Sequence, residues 1–390
     1  MNNSLYLDYN STTPVDARVL QAMLPFFTEH YGNAASQNHS YGWMADEAVT
    51  IAREHISKLI GAVKEEIVFT SGATESINLA IRGVAEAYAS KGNHIITCTT
   101  EHSAVLDTYK SLEKKGIELT VLPVNEKGLI DLEELSKNIK PSTTLISIMY
   151  ANNESGVVHP VDEIGKLAKE KKVLFFCDAT QAVGKIPVDV LKNNIDLMAF
   201  SAHKLYGPKG CGALYIRRKN PRVVLKEQIT GGGHERNFRS GTLNVPGIVG
   251  FGKAAELCMQ EMENEASRVL VLRNQFEKLL IEKNLATING DVTNRLQHVS
   301  NLCFHLPNGA SLLASVNKLM AVSSGSACNS SSGEPSHVLK AMGLADKASK
   351  SSIRFSFGRF TTQDETNWAA QQIISIVTNH RNGSLISELL

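Results

Sequence analysis

Between residues 60 and 216 short β-rich runs alternate with amphipathic stretches, and this alternation limits the chain to a mostly parallel α/β sheet with helices on its faces. The predicted strands are 67–70, 94–98, 145–149, 173–177, 197–200 and 213–216. Between them, segments near 74–90, 103–115 and 161–171 carry apolar residues at helical spacing. A long helical stretch from Pro246 to about Lys283 follows, rich in Glu, Ala, Met and Leu. Beyond it, strands near 299–305 and 352–357 with helices near 310–319, 334–341 and 363–380 suggest a smaller α+β unit. The expected division is a large domain over 15–255 and a small domain formed by 1–14 and 256–390.

In open α/β sheets ligands gather outside the carboxyl ends of the strands. Five predicted strands here end in polar groups: Ser71 to Ser76, Thr100-Glu101-His102, Asn152-Asn153-Glu154, Asp178 to Gln181, and Ser201 to Lys204. Ser71-Gly72-Ala73-Thr74 follows a strand and opens a helix, so its N–H groups and hydroxyls can cradle a phosphate at the positive end of the helix dipole. Taken singly, Thr74 or Asp178 reads as a helix cap and His102 as a satisfied surface histidine. Five coincident strand ends are hard to explain as separate caps. Lys204 and Asp178 decide the chemistry, because an amine for a Schiff base and a carboxylate that keeps a pyridinium protonated are what pyridoxal 5'-phosphate (PLP) requires.

Composition narrows the partners. A net charge of +1 and the lack of any like-charge block argue against direct nucleic-acid binding or an anionic membrane surface, and leave small molecules and proteins. Neither G-x-G-x-x-G nor a P-loop is present. The amino terminus lacks the basic start and apolar stretch of a signal peptide, so a cytoplasmic location is expected. The six cysteines contain no C-x-x-C, which signals neither a disulfide framework nor a thiolate metal site. Cys98, Cys177, Cys211, Cys258 and Cys303 lie on or near apolar stretches and read as core thiols. Cys328, inside the Ser- and Gly-rich run 323–333, reads as an accessible thiol on a mobile loop.

In order and spacing, these segments resemble the cysteine desulfurases of the NifS and IscS type, within the class V aminotransferase superfamily. The matching stretches are Tyr6 to Pro14, Phe69 to Ser76, Thr100-Glu101-His102, Asp178 to Gln181, Ser201 to Gly210, Gly231 to Arg236, Arg239-Ser240-Gly241-Thr242, Ser323 to Cys328 and Ser352 to Ser356. Ala202 departs from the glycine usual in the lysine motif. The resemblance implies a PLP-dependent fold of the aspartate aminotransferase type (fold type I). It makes Lys204 the Schiff-base lysine, Asp178 the partner of the pyridine nitrogen, Gln181 a donor to the phenolic oxygen and His102 the residue stacked on the ring. Ala73, Thr74, Ser201 and His203 would hold the phosphate, and Thr242 would reach the phosphate of a neighbouring subunit in a homodimer with shared active sites. Arg354, assisted by Asn153, would take the substrate carboxylate.

The implied reaction converts L-cysteine to L-alanine, with Lys204 as general base, His102 as proton shuttle and Cys328 as the thiolate that becomes a persulfide. The sulfur would pass to an acceptor protein, an iron-sulfur scaffold or a thiolation protein serving nucleic-acid modification. The run Ser384 to Leu390 stops short of the longer tail by which housekeeping relatives dock the scaffold, which leaves the acceptor open. A class V aminotransferase, a selenocysteine lyase and a non-catalytic sulfur-relay scaffold are the alternatives.

Overall fold

The computed structural model describes residues 4–306, 312–324 and 334–387, with side chains as far as Arg381. After a short strand β1 (Leu5–Tyr6) come the seven strands of one sheet: β2 (Ile67–Thr70), β3 (His94–Cys98), β4 (Glu118–Leu122), β5 (Thr143–Ser147), β6 (Leu174–Asp178), β7 (Leu197–Ser201) and β8 (Gly212–Ile216). Their order is β2-β8-β7-β6-β5-β3-β4, and only β8 runs antiparallel to its neighbours. The chain is thus an α/β protein with a mostly parallel sheet. The central strands are buried along their whole length, which is why they read as unbroken apolar runs rather than alternating ones.

In this sheet one predicted strand shifts by two residues, three others shift at their ends by a single residue, and one strand is new. The apolar run 145–149 belongs to a strand at Thr143–Ser147: its polar start is buried, with Thr143 Oγ1 2.7 Å from His94 Nδ1. Residues 148 to 150 leave the ladder, and the Tyr150 N–H donates to the Asp178 carbonyl at 2.9 Å. β4 was not expected, since it is the exposed sheet edge and lacks a continuous apolar run. The helices form at Ala73–Ala87, Ser103–Glu113 and Val161–Glu170.

A second, antiparallel sheet is built from β9 (Ala286–Ile288), β10 (Val299–Phe304) and β12 (Ser352–Ser356), in the order β12-β10-β9, while β11 (Met320–Ala321) pairs with β1. Hydrophobic cores accompany both sheets, and two of them share one long helix. The first gathers Val19, Met23, Phe175, Phe200 and Phe251, and the second gathers Leu7, Phe276, Leu302, Phe355 and Ile373. The 37-residue helix Val245–Ile281 serves both, contributing Val245 to Cys258 to the first and Val269, Phe276 and Leu280 to the second. Residues 7 to 16 form a strap between them. Asp8 bridges to Ser356 beside the small sheet, and Thr13 and Asp16 then bond the backbone around His203 and Tyr206. Among the described residues, no helix is long and apolar enough to cross a membrane.

Candidate active site

The carboxyl ends of β2, β5, β6 and β7 open onto a cavity of about 510 Å³. Lys204, Asp178, Gln181, His102, Ala73, Thr74, Ser201, His203, Asn153 and Arg354, ten of the residues named from the sequence, line it together. Thr242 does not; it is exposed, ahead of the Val245–Ile281 helix. Cys328 and residues 325–333 of the predicted mobile run lie outside the described residues. Both flanks of that run are described, and both are fixed near the cavity. Ser323 exchanges backbone hydrogen bonds with Arg354 at 2.7 and 3.3 Å, while Ser336 donates to Glu154 Oε2 and His337 Nε2 lies 3.0 Å from the Glu101 carbonyl.

The site fits PLP group by group. No side chain caps the Ala73–Ala87 helix, so its first-turn N–H groups point their dipole at the cavity, with Ser201 and His203 beside them. Glu75 braces this turn: one oxygen accepts from the Ser71 N–H at 2.8 Å and the other pairs with Arg239 at 2.9 Å. Asp178 is 5% exposed, and its Oδ1 accepts from the Thr180 N–H at 2.9 Å and the Thr180 hydroxyl at 2.5 Å. No group among the described residues donates to Oδ2, which leaves an acceptor for a protonated ring nitrogen. His102 Nδ1 accepts from the Ala104 N–H at 3.1 Å, so Nε2 is the end that carries the hydrogen.

Gly72 must also be approached closely from behind. A Cβ on Gly212 would stand 2.5 Å from Gly72 Cα and 2.6 Å from its carbonyl carbon, both backbone atoms that cannot rotate aside. Gly212→Ala should therefore displace the phosphate cradle and weaken PLP binding by about 100-fold, roughly the loss of one strong hydrogen bond to a charged group. Equilibrium titration of the apoprotein with PLP checks this; wild-type affinity would contradict the packing account.

Arg354 is 1% exposed, on β12. Its Nη1 donates to the Asn153 carbonyl at 2.7 Å and its Nη2 pairs with Asp8 at 2.6 Å, while Nε is buried with no partner among the described residues. Sequence reasoning assigned roles to neither Asp8 nor Asn10, although both fall in the matched stretch Tyr6 to Pro14. The carbonyls of Asn10 and Ser11 both accept from Lys204 Nζ, the second at 2.7 Å. Nothing in local spacing marks contacts between residues nearly two hundred positions apart.

Burial sets the protonation states. It depresses His102, and lowers His159 and His203 to about 4, with Lys204 adding to the effect on His203. Burial also lowers His94 and His298 and raises Glu101 and Asp196. All five described cysteines are held as thiols: burial raises each of them, Cys211 to about 12 and Cys258 to about 11. Below the ordinary histidine value of 6.5, the unfolded chain binds protons more readily than the fold on five histidines, all of them lowered by burial. Glu101 and Asp196 act in the opposite sense, but they are two against five. Stability should then fall as pH drops from 6.5 towards 4.5, each histidine charged only when unfolded contributing about 1.4 kcal/mol per pH unit. Urea midpoints at pH 7 and pH 5 test the sign, and an equal or higher midpoint at pH 5 would contradict it.

The model of the aminotransferase class-V family matches residues 5–367. This chain belongs to that family. Its class V relatives include a protein named "Cysteine desulfurase IscS" from Anaeromyxobacter sp. (strain Fw109-5), 53% identical over 391 residues that cover all of this chain and 96% of that protein. The solved structure titled "NIFS-LIKE PROTEIN" superposes with a TM-score of 0.89 at 38% identity, covering 96% of this chain and 99% of that one. Another, titled "SspA in complex with cysteine", has a TM-score of 0.81 at 36% identity and covers 92% and 100%. The fold is accordingly that of fold type I PLP enzymes, and PLP is the cofactor of this class V chain.

Proposed function

We propose that this chain is a PLP-dependent cysteine desulfurase that converts L-cysteine to L-alanine and passes the sulfur, through a persulfide on Cys328, to an acceptor protein. The observation that carries the reading is the gathering of Lys204, Asp178, His102 and Arg354 around one cavity in a chain 53% identical to a protein of that name. The five described cysteines are held as thiols, which leaves Cys328 as the candidate nucleophile; residues on either side of its segment are fixed beside the cavity.

PLP, when bound, supplies an electron sink for the pair left at the substrate Cα. Arg354 receives the α-carboxylate, its buried Nε being a donor still to be matched, and Asn153 borders the same side of the cavity. Lys204 anchors the cofactor, and when released takes the α-proton on Nζ, where the Asn10 and Ser11 carbonyls accept from the resulting ammonium. His102, with its hydrogen on Nε2, enters the cycle as a proton donor. The Cys328 thiolate attacks the substrate sulfur; the S–S bond forms as the C–S bond breaks, the pair left on Cβ is protonated, and Lys204 returns its proton to Cα to give alanine.

A homodimer is part of this reading. Leu20, Leu24, Phe27, Tyr31, Tyr41 and Trp43 are all exposed apolar side chains on the helical region before residue 60, an apolar surface suited to a second copy, and Thr242 is free to reach that copy's phosphate. The division into a large domain, 15–255, and a small one, 1–14 with 256–390, is supported by the two cores, with Leu7 in one and Val19 in the other. The acceptor is an iron-sulfur scaffold or a thiolation protein, in the cytoplasm. The test is turnover of L-cysteine with a thiol reductant and no keto acid: alanine and sulfide should appear in equal amounts, whereas a requirement for a keto-acid co-substrate would make the chain an aminotransferase.

A further inference from the structure

His298 is 4% exposed, immediately before β10, and takes no part in the chemistry above. Its Nε2 lies 2.8 Å from Asn10 Oδ1. Asn10 Nδ2 donates to the Asn153 carbonyl at 3.1 Å, which fixes the amide so that Oδ1 is the accepting atom and His298 must donate through Nε2–H. The Asn10 N–H is held in turn by Ser356 Oγ at 2.9 Å, and the His298 carbonyl accepts from the Phe357 N–H at 2.9 Å. Residues beside the small sheet therefore grip Asn10 at its backbone and at its side chain. Its remaining polar atom, the carbonyl oxygen, accepts from Lys204 Nζ and, at 3.1 Å, from Gln181 Nε2.

We propose that His298 is a positioning residue that acts through the Asn10 side chain to hold the strap carbonyls against Lys204 and Gln181. The amine and the amide reach these carbonyls from different strand ends, and the strap is the element that sets their relative position. Asn10 is 1% exposed, so loss of the His298 donor leaves a buried acceptor unpaired and frees the strap to shift. A shift there moves Lys204 Nζ and turns Gln181, whose second Nε2 hydrogen remains for the cofactor. His159 supplies the contrast: it is 3% exposed, with neither ring nitrogen partnered among the described residues, and lines a different groove.

The inference rests on the reading of Lys204 as the amine that carries the cofactor. The test compares Asn10→Ala, His298→Leu, their double variant, His298→Gln and His159→Leu by two readouts: the PLP dissociation constant, and the fraction of Lys204 peptide bearing reduced cofactor after borohydride. His298→Leu should weaken PLP binding about tenfold and Asn10→Ala, which also loses the bond to Asn153, at least as much, with the double variant within about twofold of Asn10→Ala because His298 acts through that side chain. His298→Gln, which keeps an N–H donor, should recover to within about threefold of wild type, and His159→Leu should load PLP normally even where it lowers the unfolding midpoint. Effects that multiply in the double variant, or a His298→Leu protein that binds PLP like wild type, would overturn the proposal. Should His298→Leu fail to fold, Asn10→Ala decides alone, and wild-type affinity there overturns it. Wild-type protein with no adduct on Lys204 would instead remove the underlying reading, and the strap's role with it.

Discussion

Lys204→Ala is expected to fold and to hold PLP without a covalent link, yet to turn over cysteine about 10⁴-fold more slowly, the upper end of what one positioned proton-transfer group contributes. The fold should survive because Lys204 lies at a cavity wall rather than in either core. Its Nζ is met by the backbone carbonyls of Asn10 and Ser11, and the alanine leaves the strap's own backbone in place. PLP should still bind through the open helix terminus at Ala73 and through Asp178, both independent of the lysine. Steady-state kinetics at saturating PLP, with borohydride reduction to confirm the missing adduct, check the prediction. Turnover within tenfold of wild type would mean that another base removes the α-proton.

Arg354→Gln should strike binding and stability together. The guanidinium is buried, paired with Asp8 at 2.6 Å and bonded to the Asn153 carbonyl at 2.7 Å, and β12 holds it in the middle of the small sheet's ladder. Gln removes the charge and leaves the Asp8 carboxylate, which is largely buried, without its partner. Breaking such a pair costs about 3 kcal/mol of stability, and loss of the carboxylate donor should lower kcat/KM for cysteine about 10³-fold, mostly through KM. Arg354→Lys should not rescue it, because an ammonium cannot reach Asp8, Asn153 and a substrate carboxylate at once. Urea unfolding and the separate kcat and KM values give the answer. An unchanged KM would show that the substrate carboxylate is held elsewhere.

The parts legible in the sequence are those whose signal is local. β3, β6 and β7 are buried on both faces and announce themselves as apolar runs, and their polar ends at His102, Asp178 and Lys204 line one cavity. β4 escapes notice because its exposed edge position needs no such run, and the start of β5 because Thr143 and Thr144 are polar residues satisfied inside the sheet. The strap is hidden for a different reason. Asp8, Asn10 and His298 acquire their roles from contacts between distant parts of the chain, through single hydrogen bonds that no periodicity reports. The stretch Tyr6 to Pro14 could be matched to a family without disclosing that its carbonyls face Lys204.

The central claim is that the cavity around Lys204 delivers sulfur from cysteine to Cys328. It is tested most directly by mixing PLP-loaded protein with one equivalent of L-cysteine, without reductant, and measuring alanine together with the mass of the Cys328 peptide. The account predicts one alanine per persulfide formed on Cys328, and no persulfide when Cys328 is replaced by alanine. Alanine formed with the sulfur on another cysteine, or equally fast in Cys328→Ala, would contradict it.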